Sequence, residues 1–138
     1  LRHILESPFL TNLEELSFGH CGIDDEMIRL LADSPKIARL KSLDFGCGDE
    51  VTDDQNRIMA NGLAILARSP NCPHLRSLSL KGNPVGDEAI DVILSVEAWS
   101  ELKSLDLRSA GISKAGMQRL TESPLFASLR TLRFDDAD

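Results

Sequence analysis

Residues Leu102–Ile112 read LKSLDLRSAGI, and the chain repeats this phrase with small changes. Leu13–Ile23 reads LEELSFGHCGI, Leu75–Val85 reads LRSLSLKGNPV, and LRTLRFDDA starts at Leu129. Leu40 opens a further copy, LKSLDFGCGDEV, which is one residue longer. Every copy is L-x-x-L-x-(L/F), and four of them close on an aliphatic: Ile23, Val51, Val85 or Ile112. The copies begin 27, 35, 27 and 27 residues apart. A near-constant period of this length marks a stacked array, in which no unit buries its apolar face alone.

Within each copy the alternation has period two, the pattern of a short strand with one buried face. Leu16 and Phe18 point inward, as do Leu43 and Phe45, Leu78 and Leu80, Leu105 and Leu107, and Leu132 and Phe134. The residue after each closing aliphatic is Asp24, Thr52, Gly86 or Ser113, all helix N-cap types. Thr52 with Gln55 also fits a capping box. The helices that follow share an inner stripe: Ile28, Ile90 and Met117 in one column, and Leu31, Ile93 and Leu120 in the next. A third column, Met27, Ala89 and Gly116, is mostly small, which predicts close approach of helix to sheet. Ser34-Pro35 and Ser123-Pro124 stop their helices, since proline lacks a donor and clashes inside one; Ser7-Pro8 and Ser69-Pro70 do the same. Strand, helix, strand at this spacing predicts a right-handed α/β solenoid. Its parallel strands lie on the concave face and its helices on the convex face.

These motifs resemble the ribonuclease-inhibitor-like class of leucine-rich repeat proteins. The bacterial-type arrays of that class, with 27-residue copies running SP-x-x-x-x-L-x-S-L-D-L, are the nearest in pattern. Relatives by repeat type include Ran GTPase-activating proteins and the sensor ends of NOD-like receptors. The resemblance covers the whole chain and implies a protein-binding surface. It also implies a ladder of Asn or Cys side chains bonding between turns. Cys21, Asn83, Ala110 and Ala137 hold that position here, with Cys47 or Gly48 in the lengthened copy. The alanines cannot make the bond, so the ladder should be patchy.

The lengthened copy is eight residues longer than the others, one in the turn GCGDEV and seven in the helix that follows. Seven residues are close to two helical turns, so Gly62, Leu63 and Leu66 stay in the inner columns. The expected helix runs from Thr52 to Arg68 and projects beyond the array. Ile58 and Met59 would offer apolar contact to a partner, with Asp53 and Asp54 supplying charge.

Composition narrows the classes. The 138 residues are read as a single domain of about four and a half repeats, a fragment of a longer array. Aromatic content is 4%, so the core is aliphatic. The net charge of -7 argues against nucleic acid, which needs a surplus of Lys and Arg on some face. No apolar run approaches the length of a membrane span. Three cysteines, Cys21, Cys47 and Cys72, do not form a disulfide framework, so the expected compartment is reducing and cytoplasmic. Acids gather where strands end and helices begin, and bases gather near helix ends and strand starts. Helix dipoles favour that layout, and it also makes one rim acidic and the other basic.

The outward strand positions form columns across the concave face. They are Glu15, Ser42, Ser77, Ser104 and Thr131; then Ser17, Asp44, Ser79, Asp106 and Arg133; then Gly19, Gly46, Lys81, Arg108 and Asp135; then His20, Cys47, Gly82, Ser109 and Asp136. Asp106 and Arg133 should be cross-strand neighbours, and so should Lys81 and Arg108, a like-charge pair that would welcome an anion or Asp106. The lone Trp99 belongs in the core, with Ile37 and Phe126 at the matching place in their copies. His20, Cys47 and Cys21 fall near one another, but no further ligands complete a four-coordinate metal site. The acidic turn from Asp49 to Asp54 lacks the alternation of a calcium loop. No Ser-His-Asp spacing, phosphate-binding Gly-rich loop or zinc-protease motif is present.

The expected function is a non-enzymatic scaffold for protein–protein interaction, without cofactor or metal. Its surface would comprise Glu15, Ser17, His20, Asp44, Ser79, Lys81, Asp106, Arg108, Arg133 and Asp135, with the projecting helix beside them. The alternative is a sensor or regulatory segment of a larger signalling protein, such as a GTPase regulator. Both ends of the array leave apolar residues uncovered, which predicts edge-to-edge self-association.

Overall fold

The computed structural model describes residues 1–48 and 52–136. Five strands, β1 (Glu15–Ser17), β2 (Ser42–Asp44), β3 (Ser77–Ser79), β4 (Ser104–Asp106) and β5 (Thr131–Arg133), form one sheet in sequence order. Every adjacent pair is parallel, and the register aligns equivalent residues: Leu16, Leu43, Leu78, Leu105 and Leu132 share one row. Helices α1 (Arg2–Leu5), α2 (Asp25–Ala32), α3 (Ala60–Ala67), α4 (Glu88–Ser95), α5 (Lys114–Thr121) and α6 (Pro124–Ser128) connect or precede them. Because strand order equals sequence order, each crossover advances the array by one strand.

The core is the layer between sheet and helices. Leu43, Phe45, Leu78, Leu80 and Leu105 are buried, as are Ile28, Leu31, Ile90 and Leu120 from the helix stripes. Phe18 and Phe45 stack with ring centroids 5.7 Å apart at the turn end of β1 and β2. Trp99 closes the lower side with no exposure, beside Ile37 and Cys72 in the equivalent place of other copies. Phe126, in the same column, is exposed, because no described turn lies beyond it. For the same reason Leu132 is only half-buried and Phe134 is exposed.

Local chemistry explains the helix ends. Asp24 caps α2 by accepting from the Met27 amide at 2.9 Å, and Ser113 caps α5 by accepting from the Gly116 amide at 3.2 Å. The cap of α4 is Asp87, one residue later than expected for Gly86. The Ser-Pro pairs do more than end helices. Ser34 caps a 3₁₀ turn, Pro35–Ile37, and Ser123 caps α6. Ser69 donates to the Ala32 carbonyl of the preceding copy at 2.5 Å.

The lengthened copy departs from expectation. Helix α3 begins at Ala60, capped by the Met59 backbone, and not at Thr52. The residue equivalent to Ile23 and Val85 is Ile58, which is buried, and not Val51, which lies outside the described residues. The capping box does not form; the Thr52 carbonyl accepts from the Gln55 amide in a turn. The cause is Asn56, only 1% exposed. Its amide donates to the Phe18 and Phe45 carbonyls at 2.6 and 2.9 Å, and its oxygen accepts from the Ile23 amide at 2.8 Å. Those carbonyls face the interior and would be costly to leave unpaired. Asn56 is therefore the ladder residue of this copy, in place of Cys47 or Gly48, and it cannot lie in a helix. Asn83 does the same one turn on, donating to Phe45 and accepting from the Ile58 amide at 3.1 Å. The eight extra residues therefore fall in the sequence between Cys47 and Asn56, ahead of the helix and not within it.

Candidate functional site

The strand register carries the outward columns into a groove of about 430 Å³. Asp44, Ser79, Lys81, Asp106, Arg108 and Arg133 line it, with Ser42, Ser77 and Ser104 beneath them. Gly46 keeps the groove open: a Cβ there would lie 2.9 Å from Asp44 Oδ1 and 3.0 Å from Ser79 Oγ. Two aspartates fold back on their own strands. Asp44 Oδ1 accepts from the Gly46 amide at 2.8 Å, and Asp106 Oδ1 accepts from the Arg108 amide at 3.2 Å.

Asp106 is held further by the Arg108 guanidinium, with Nε donating at 3.0 Å and a second nitrogen at 2.6 Å. Burial pushes the Asp106 carboxyl up, but the Arg108 hydrogen bonds and the charges of Arg108 and Arg133 outweigh it. The group therefore stays below the usual carboxylate range. The register places Arg133 opposite Asp106, as the sequence predicts. Of the expected neighbours Lys81 and Arg108, it is Arg108 that pairs with Asp106.

Other predicted residues lie outside the groove. Glu15 and Ser17 are exposed on β1, and Ser17 Oγ donates to Asp44 Oδ2 at 3.4 Å. Asp135 accepts from the Ser109 amide and ties the segment after β5 to the turn after β4. Cys47 borders the groove but offers it almost no surface: it is buried, and its sulfur accepts from the Asn56 backbone amide at 3.1 Å. His20 is exposed, with φ of 52°, and its Nε2 accepts from the Gly48 amide at 2.8 Å. It thus braces the inserted loop. Among the described residues no cluster of three His, Cys, Asp or Glu side chains is placed to hold a metal.

The described part of the insertion, residues 52–55, lies beside the turn that follows β1. Asp53, Asp54 and Met59 are exposed, whereas Ile58 is core and cannot meet a partner. Ile58 turns inward because Asn56 must reach the ladder two residues earlier. A side-chain hydrogen bond from Thr52 and one from its own backbone hold the Asp54 carboxyl below its ordinary value. The loop is tied down where it meets β1's turn: the Gly22 amide donates to the Asp54 carbonyl at 2.8 Å and the Arg57 amide to the Ile23 carbonyl at 2.7 Å. On the opposite rim, Lys41 pairs with Glu14 of the previous copy at 3.0 Å.

Sequence reasoning missed Asn56. Its signal was present: Asn56 stands two residues before Ile58, as Asn83 stands two before Val85.

A family model described as Leucine Rich repeat matches residues 9–32, 71–94 and 101–120. The fold is a leucine-rich repeat solenoid. The matches pass over the second copy, whose phrase the inserted loop interrupts. Among solved structures, the tropomodulin C-terminal domain of Caenorhabditis elegans is similar, with a TM-score of 0.58 at 16% identity. That likeness spans 93% of this chain and 77% of the tropomodulin chain, and it concerns the fold alone. No curated protein matches the chain significantly in sequence. Among the described residues, no helix is long and apolar enough to cross a membrane.

Proposed function

We propose that the chain is a non-enzymatic interaction scaffold whose concave strand face, flanked by the inserted loop, docks a protein. Leucine-rich repeat solenoids are in general protein-binding folds, and the repeat stacking that builds them also builds an extended concave surface. The observation that carries the proposal is the open polar groove over β2 to β5, beside the one irregular element of the array. Per-repeat insertions commonly lie on a binding face. The braces from His20 and Asn56 preorganise this one, which lowers the entropy lost on docking. Exposed Asp53 and Asp54 would steer a basic patch of the partner toward the rim.

The test begins with capture of partners from the native host, followed by measured affinity for the partner identified. Deleting residues 48–55 restores the spacing of the other copies and should leave circular dichroism and unfolding unchanged. Ser79→Trp should fill the groove without touching the core. If both variants fold and bind the partner as tightly as the parent chain, docking occurs elsewhere.

A further inference from the structure

The groove differs in charge from the molecule around it. The chain carries a net charge of -7. The groove-lining residues nonetheless include three cations, Lys81, Arg108 and Arg133, against two carboxylates, Asp44 and Asp106. Both carboxylates are already engaged. Asp44 accepts from the Gly46 amide and Ser17, and Asp106 accepts twice from the Arg108 side chain. Arg133 is exposed at the β5 side of the groove and makes no ion pair among the described residues. Its nearest acid in register, Asp106, is spent on Arg108.

The groove floor supplies a second feature. Ser42, Ser77, Ser79 and Ser104 are half-buried, and among the described residues their hydroxyls make no hydrogen bond within the protein. Neighbouring strands lie about 4.8 Å apart, so a chain crossing them meets a hydroxyl at each strand. Hydroxyls both donate and accept, which suits the alternating N–H and C=O groups of an extended backbone. The floor offers no aromatic anchor, so recognition there must be polar.

We propose that this groove takes an extended acidic peptide segment. Its backbone crosses the serine row, and one of its carboxylates pairs with the Arg133 guanidinium, which can grip both oxygens. The proposal rests on the concave-face reading above and names the chemistry of the occupant. A nucleic acid is the less suitable anion, because its regular run of phosphates would extend past the groove over a chain whose net charge is -7.

The experiment is titration of the ¹⁵N-labelled chain with two decapeptides, one alternating serine and glutamate and one alternating serine and lysine. The glutamate peptide should shift the amides of Ser79, Ser104 and Arg133. Arg133→Glu should weaken its binding at least tenfold. Arg130→Glu makes the same charge change on the opposite rim and should alter binding less than twofold; circular dichroism confirms that both variants fold. If the lysine peptide moves the groove amides instead, the acidic assignment falls while the concave-face reading stands. If peptide shifts appear only outside the groove, both fall. Equal losses at Arg130 and Arg133 would reduce the effect to overall charge and overturn the pairing.

Discussion

Gly116→Ala should destabilise this protein, although the same change in an ordinary helix stabilises it by about 1 kcal/mol. Gly116 sits in the first turn of α5. A Cβ there would lie 2.3 Å from Asp87 Oδ1, 2.7 Å from Asp87 Cγ and 3.0 Å from Ile112 Cγ2. The Asp87 carboxylate must therefore leave. It currently accepts from the Ser113 amide at 2.7 Å and from the Ser113 hydroxyl, which also hold its pKa below the ordinary value. Each such bond contributes about 0.5–1.5 kcal/mol, and the site is solvent-accessible, so the pair is worth about 1–2 kcal/mol. Subtracting the helix-propensity gain leaves a net loss of up to about 1 kcal/mol. The assay is urea unfolding of the parent, Gly116→Ala, Asp87→Ala and the double variant. In the Asp87→Ala background the glycine change should become neutral or stabilising, a coupling of about 1–2 kcal/mol. If Gly116→Ala stabilises the parent and the Asp87→Ala variant equally, the carboxylate is no wedge against the helix, and the reasoning is wrong.

Gly62→Ala should cost more than Gly116→Ala in the same assay, because its Cβ would lie 2.1 Å from Asp25 Oδ1 and 3.2 Å from the Asp25 Cα, where backbone must yield. Asn56→Ala should cost about 2 kcal/mol or more, since it orphans the interior Phe18 carbonyl and the Ile23 amide at once, while the Phe45 carbonyl keeps its bond from Asn83; a loss below about 1 kcal/mol would mean water replaces the side chain. Of the three free thiols, only exposed Cys21 should react with a maleimide in the native chain: Cys47 and Cys72 are buried, and burial pushes the Cys72 pKa up to about 11. Three fast-reacting thiols without denaturant would contradict that burial. Asp106, whose folded pKa is depressed, contributes stability that is complete above its unfolded value of about 4 and disappears as pH falls through the folded one. Asp106→Asn should therefore flatten the acid side of the stability curve and lower stability at pH 7. Light scattering of the isolated chain over a concentration series should show association through the uncovered edges at Phe134 and Ile4, and a clean monomer at high concentration would count against it.

Most of the architecture was legible because it depends on short-range patterning repeated many times. The alternation in LKSLDLRSAGI places Leu105 and Leu107 inside and Asp106 outside, and five similar phrases make stacking in register the arrangement that buries all the leucines. The caps at Asp24 and Ser113 are equally local, each a side chain meeting an amide three residues on. The cross-strand pairing of Asp106 with Arg133 followed once the period was known. Trp99 could be assigned to the core from its place in the phrase.

The second copy was misread for a physical reason. It offers two closing aliphatics, Val51 and Ile58, and two N-cap candidates, Thr52 and Met59, and local propensity favours the earlier pair. The choice is made across strands. Asn56 reaches the Phe18 carbonyl and shares the Phe45 carbonyl with Asn83, and once it does, Ile58 must turn inward and the helix must wait for Ala60. Likewise nothing in the spacing of Asp87 and Gly116, or of His20 and Gly48, announces that they touch. Local periodicity specified the repeat, the faces and the columns, because each is settled within a few residues by the geometry of strand and helix. The loop, the ladder and the pairing of Arg108 with Asp106 awaited the packed array, because each satisfies a buried or charged group whose partner folding alone brings within reach.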